Sequence, residues 1–142
     1  MAQRVMIDTN VLLDDLLLRK PHDKDSRQII NMCRSRQLDG YVAAHSFPDM
    51  FYIMRKVYTP SERRRLLKSV CEMFQVIGLD REKISAAIDD DSFTDFEDCL
   101  QEKCAVSLSL DYIITWNVRD FSTSKIKPVT PTEYLAILEG SE

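Results

Sequence analysis

The sequence predicts an α/β fold, a mostly parallel sheet of four to five strands with helices on both faces. Three observations predict it. Short apolar runs recur along the chain, the first at Val5-Met6-Ile7 and a late one at Tyr112-Ile113-Ile114. Continuous runs of this kind mark strands covered on both sides. Stretches of helical spacing separate them, and alternation of strands with helices is the pattern of a parallel sheet. The length of 142 residues, with no linker, repeat or low-complexity segment, suits one domain spanning 1–142.

Residues 5–7 form the first strand and run into a helix that Thr9 or Asn10 is placed to cap, with Val11, Leu12, Leu16 and Leu17 on its apolar side. After the loop 20–25, residues 26–38 have helical spacing. Asp39-Gly40 reads as a turn, and 41–44 as a second strand. Ser46 opens a helix through about Val57. Thr59-Pro60-Ser61 breaks the chain and starts a helix through about Met73. Residues 74–79 read as a third strand, 80–88 as a short helix and 89–92 as an acidic loop. An amphipathic helix follows over 94–109, then a fourth strand over 111–115. Residues 117–121 form a turn or short helix, 127–129 a fifth strand and 132–138 a closing helix.

Composition narrows the classes of function. No apolar run approaches the roughly 20 residues of a membrane span, and no leader pattern precedes the first strand, so a cytoplasmic protein with no membrane partner is expected. Cys33, Cys71, Cys99 and Cys104 form no zinc-like spacing and read as reduced thiols. Neither His22 nor His45 is singled out by its neighbours. A net charge of −4 argues against gripping nucleic acid by bulk charge, but leaves room for a local basic patch and a metal.

Four acids occupy comparable places. Asp8 ends the first strand, Asp49 lies three residues after Ser46, Asp98 falls early in the 94–109 helix, and Asp120 follows the fourth strand. Strand carboxyl ends and the helix N-termini after them share one edge of an open α/β sheet, where ligands bind. Carboxylates crowded there stay ionised only beside positive charge, and a hard divalent cation supplies it. Each acid also has a structural explanation. Ser46-Phe47-Pro48-Asp49 and Thr94-Asp95-Phe96-Glu97 both fit capping boxes, which would account for Asp49 and Glu97 without chemistry. Asn117 to Asp120 fits a capped turn. Asp14, Asp15 and Asp89 to Asp91 read as solvated charges. The basic stretch Arg55-Lys56, Arg63-Arg64-Arg65 and Lys68 suits either a nucleic-acid backbone or a solvated helix face, and charge runs of this kind favour the second. Arg119, Lys125 and Lys127 lie closer to the acids and suit phosphate contact, and Trp116 suits stacking on an unpaired base.

In four places the sequence resembles the PIN domain family, the fold of VapC-type toxin ribonucleases: residues 7–13 (IDTNVLL), 46–52 (SFPDMFY), 95–101 (DFEDCLQ) and 113–121 (IITWNVRDF). The resemblance spans nearly the whole chain. It implies a three-layer α/β/α sandwich and cleavage of single-stranded RNA with Mg²⁺ or Mn²⁺, the RNA partner being single-stranded or structured. The implied metal ligands are Asp8, Asp98 and Asp120, with Asp49 as a fourth catalytic acid. Thr9, Ser46, Thr115 and Asn117 are the implied supporting residues, and Arg119, Lys125 and Trp116 the substrate contacts. An antitoxin protein and a homodimer are the implied partners. Asp49 stands where many members carry the longer Glu, and Trp116 where a basic residue is common.

Two other classes compete. A non-catalytic PIN-like module would bind RNA or a protein without cleaving, although all four acidic positions are filled here. An aspartyl-phosphate enzyme would use Asp8 as nucleophile, but Asn10 stands where that chemistry needs a second acid.

Overall fold

A computed structural model describes residues 2–140. Its five strands are β1 (Gln3–Ile7), β2 (Leu38–Ala43), β3 (Gln75–Ile77), β4 (Tyr112–Ile114) and β5 (Lys127–Val129), in the spatial order β3-β2-β1-β4-β5. Every pairing is parallel. The chain therefore builds outward from β1 through β2 to β3, crosses back to lay β4 on the other side of β1, and ends with β5. The reversal of direction falls between β1 and β4, the place where open α/β sheets form a crevice.

The side chains of β1 show why both faces must be covered. Val5 and Ile7 enter a core with α1 (Thr9–Leu17), α2 (Asp23–Arg34), α3 (Ser46–Ile53), α4 (Pro60–Met73) and α7 (Pro131–Gly140), while Met6 points into the opposite core with α6 (Phe96–Ser107). Ile114 and Ile113 of β4 divide the same way. α5 (Arg81–Asp89) packs on α6 through Ala87, Cys99 and Leu100. The expected three-layer α/β sandwich is thus the observed fold, and the sheet is wholly parallel.

Several boundaries differ from the sequence reading. Asp39-Gly40 is not a turn but lies inside β2. A Cβ at Gly40 would sit 2.5 Å from Phe74 Cδ1 and 2.8 Å from Cys33 Sγ, so glycine is needed there for close packing of strand and helices. The turn comes earlier. Arg36 takes a positive φ of 67°, and the Gln37 N–H donates to the Met32 carbonyl at 2.9 Å, closing α2 in the Schellman manner. α4 opens on a capping box between Thr59 and Glu62, with Pro60 in the first helical turn. α3 runs on into a 3₁₀ turn at Met54–Lys56, and another 3₁₀ turn at Val118–Phe121 follows β4.

Candidate active site

The last residue before α1 is Asp8, not Thr9 or Asn10, and its side chain does not cap the helix. Its carboxylate turns across the crevice instead. Thr115, just past β4, donates its hydroxyl to Oδ2 at 2.8 Å, and Gln101 of α6 donates its amide to Oδ1 at 2.8 Å. Asp8 is 2% exposed. Burial raises its pKa, and the bonds from Gln101, Thr115 and the Thr9 backbone oppose that shift. No cation takes part. Beside it, Thr9 donates its hydroxyl to Ser46 Oγ at 2.7 Å, joining α1 to α3 below the acids.

The other acids arrive on the N-terminal turns of α3, α6 and the second 3₁₀ turn. α6 begins one residue later than a Thr94 cap would place it. Asp95 is the cap, accepting from the Asp98 N–H at 3.0 Å, so no Thr94–Glu97 box forms. Glu97 is thereby freed to turn toward Asp49, with which it hydrogen bonds. α3 has no side-chain cap either, so Asp49 is not absorbed by a Ser46 box. Burial, then the bond to Asp49 and the charges of Asp49, Asp95 and Asp8, hold the Glu97 carboxyl up at about 8. Burial, then the charges of Asp8, Asp95 and Asp120, hold Asp98 up at about 7. Every charge acting on Asp98 is another acid.

Asp8, Asp49, Asp98 and Asp120 therefore share one electrostatic site. Asn117 contributes its backbone N–H to Thr115 Oγ1 at 3.0 Å. Arg119 and Lys125 are exposed, and Lys125 is tied to α6 by its backbone N–H on Glu102 at 2.8 Å. Trp116 turns away from the acids. Its indole N–H donates to Asp14 Oδ2 at 2.8 Å and reaches Ser26 Oγ at 3.1 Å. Asp14 is consequently not a solvated charge but a buried one, paired with Arg19 at 3.1 Å. Asp15 pairs with Arg27 at 3.4 Å.

Sequence reasoning missed three neighbours of the acids. Gln101 follows Asp98 by three positions, the spacing that shares a helix face, and that spacing was the available signal. Glu97 was hidden by the apparent capping box. His45, the residue preceding α3, lies near the backbone of Glu97 and the charges of Asp49 and Asp8; burial lowers its pKa against their influence. Both its ring nitrogens are buried without a hydrogen-bond partner of acceptable geometry. Nothing in its local sequence carries that signal.

The donor chemistry fits a hard divalent ion. The side chains are oxygen donors, burial and then their crowding raise carboxyl pKa values, and the two oxygens of Asp8 keep lone pairs beyond the two bonds they accept. In the side-chain positions seen, no group of three His, Cys, Asp or Glu residues among the described residues is arranged to hold a metal.

A wholly parallel sheet with acids gathered at its reversal point defines a class of α/β domains with an acid-lined site. The chain belongs to the PIN domain family, whose PIN_3 model matches residues 4–119. Among solved structures, it is similar to the VapBC2 complex of Rickettsia felis bound to a promoter DNA fragment, with TM-score 0.69, 10% identity, and coverage of 90% of this chain and 98% of that one. It is also similar to the DNA-bound VapBC of Salmonella typhimurium (TM-score 0.68, 18% identity, 92% and 99% covered) and to a toxin–antitoxin complex of Klebsiella pneumoniae (0.68, 16%, 89% and 97%). No curated protein matches the sequence significantly. Among the described residues, no helix is long and apolar enough to cross a membrane.

Proposed function

We propose that the protein is a metal-dependent endoribonuclease that cleaves single-stranded or structured RNA, acting as the toxin of a toxin–antitoxin pair. The observation that carries this reading is the acid cluster at the β1–β4 crevice, where, among the described residues, the charges acting on Asp8 and Asp98 are other acids. Asp8, Asp98 and Asp120 would hold Mg²⁺ or Mn²⁺, with Asp49 as the further catalytic acid. When bound, such an ion activates a water and stabilises the leaving oxygen in phosphodiester hydrolysis.

The chain's own residues prepare that site. Thr115 and Gln101 orient the Asp8 carboxylate and favour its charged form. Thr9 and Ser46 lock the start of α1 to that of α3. Burial and the neighbouring acids hold the Glu97 carboxyl up at about 8, so its deprotonation is linked to filling of the site. Arg119 and Lys125 are placed to meet RNA phosphates, and Trp116 to meet a base.

The toxin assignment is supported by family membership and by likeness to structures of toxin–antitoxin complexes. An antitoxin protein, a homodimeric assembly and a cytoplasmic location follow from it as further parts of the proposal. The decisive experiment is cleavage of a defined RNA by wild type and Asp8→Asn, with Mn²⁺, Mg²⁺ or EDTA. Cleavage that needs metal and disappears with Asp8→Asn is expected. Equal cleavage by both proteins would falsify the proposed site. One observation favours the alternative of a non-catalytic module: both Asp8 oxygens accept bonds from the protein itself. RNA binding without metal affinity or cleavage would establish that alternative.

A further inference from the structure

A polar cavity of about 320 Å³ opens beside the acid site, lined by Asn10, Arg19, Lys20, His22, Trp116 and Asn117, with Asp14 at its base. It adjoins that site through sequence and bonding. Asn10 lies two residues beyond Asp8. The Asn117 N–H bonds to the Thr115 hydroxyl that itself bonds to Asp8.

The cavity is built around two flat rings. His22 stacks on Trp116 with centroids 4.0 Å apart and planes 22° from parallel. The indole is fixed in place by Asp14 and Ser26, whereas His22 is exposed. A clamped indole under an open imidazole presents a stacking surface whose order is already established before a ligand arrives. Asn10 and Asn117 both line the cavity; the Asn10 Oδ1 accepts from Arg19 Nη2 at 3.3 Å, and the Asn117 side chain makes no capping bond. An amide offers both donors and acceptors, the combination that reads base edges. Arg19 is engaged by Asp14 and Asn10. Lys20 is different: its side chain is 85% exposed and only 3.4 Å from Asp23, an open ammonium at the mouth.

We propose that this cavity is a nucleotide subsite. It would take one unpaired nucleotide of the RNA next to the bond being cut, with its base against the His22–Trp116 rings, its edge at Asn10 and Asn117, and a phosphate at Lys20. The proposal rests on the nuclease reading and adds to it a place where sequence preference arises. A base in a duplex is stacked and paired and has no free face to offer, so the subsite selects single strands.

Trp116 is the sole tryptophan of the chain, so its fluorescence reports on this cavity alone. The test is titration of the full-length protein in EDTA with a mixed-sequence heptanucleotide RNA, followed both by Trp116 emission and by anisotropy of a labelled copy. Saturable quenching is expected, with a dissociation constant raised about 5-fold or more by His22→Ala and by Lys20→Ala, and restored by His22→Phe. The same sequence as a duplex should leave the emission unchanged. In metal-supported cleavage, His22→Ala should redistribute the cut sites and raise KM more than it lowers kcat. RNA that saturates the anisotropy without changing Trp116 emission overturns the subsite, as does His22→Ala with wild-type affinity and cut sites. Either result leaves the nuclease reading standing if cleavage still needs metal and Asp8. Quenching by RNA that is never cut supports the subsite and overturns the nuclease reading.

Discussion

Asp8 and Asp14 are both buried carboxylates, six residues apart at the start and middle of one short helix, and the protein treats them in opposite ways. Asp14 is 4% exposed and answered by a cation: Arg19 sits at 3.1 Å, with Ser26 and Trp116 supplying further donors. Asp8 is 2% exposed and has only neutral donors, Thr115 and Gln101, while the nearby charges are acids. Burying a carboxylate is costly unless it is paired. The Asp14 region resolves that cost internally and becomes a fixed joint between α1, α2 and Trp116, two residues past β4. The Asp8 region leaves it unresolved, which makes sense for a site completed by a cation from solution. Burial alone does not separate the two carboxylates; the presence or absence of a counter-charge does.

The contrast breaks most sharply at Asp8. Asp8→Asn is expected to reduce RNA cleavage by more than the roughly 10- to 100-fold typical of outer partners of a metal site. In EDTA it should melt no lower than wild type, because a repelling charge is gone, and it should lose the rise in Tm that Mn²⁺ gives wild type. A scan with and without Mn²⁺ checks both. If Asp8→Asn keeps the full metal response, Asp8 is a structural carboxylate like Asp14.

Thr115→Val removes one of the two donors to Asp8 with little change in shape. Its expected cost is about 10-fold or more in metal affinity by calorimetry, with the fold retained.

Titration separates the two regions next. Asp98 and Glu97 are held up at about 7 and about 8, first by burial and then by neighbouring acids. In the unfolded chain such groups ionise near pH 4. Between pH 4 and 8 the native protein thus binds more protons than the unfolded one, and metal-free stability falls as pH rises through that window. Metal binding needs the charged forms, so Mn²⁺ affinity should rise from pH 6 to 8. Melting curves in EDTA and calorimetry at both pH values measure these opposite trends; flat profiles would mean that neither burial nor the neighbouring acids hold these carboxyls up. Glu97→Gln should flatten the part of the stability decline closest to pH 8.

The smallest effect is expected on the Asp14 side. Asp14→Ala leaves Arg19, Ser26 and Trp116 without their shared acceptor. Arg19 is partly exposed and can turn to water, so the cost is about 1 to 3 kcal/mol of stability. The increase in Tm with Mn²⁺ should persist, because the acids at the crevice are untouched.

The same contrast explains how much was legible beforehand. The fold is readable from β1, β4 and the helix spacing between them, because the apolar runs Val5-Met6-Ile7 and Tyr112-Ile113-Ile114 and their flanking turns are local signals. The four candidate acids were readable as positions at strand ends and helix starts. Their environments were not. In sequence Asp14 reads as a solvated charge because its partners Ser26 and Trp116 lie 12 and 102 residues away. Gly40 suggested a turn because its actual constraint is Phe74, on an element not adjacent in sequence. A shift of one residue in the α6 cap, from Thr94 to Asp95, was enough to turn Glu97 from a presumed cap into a neighbour of Asp49.

By itself, then, the sequence determined the order and type of the elements and which residues end them, since backbone preference, capping and apolar periodicity act over a few residues. Tertiary structure decided what each carboxylate faces. Asp8 meets Gln101 and Thr115 across separations of 93 and 107 residues only because β4 returns to lie beside β1. Charge and hydrogen bonding fall off over a few ångströms of space, not of chain, so the difference between the Asp8 site and the Asp14 joint came into being only when the sheet closed up around β1.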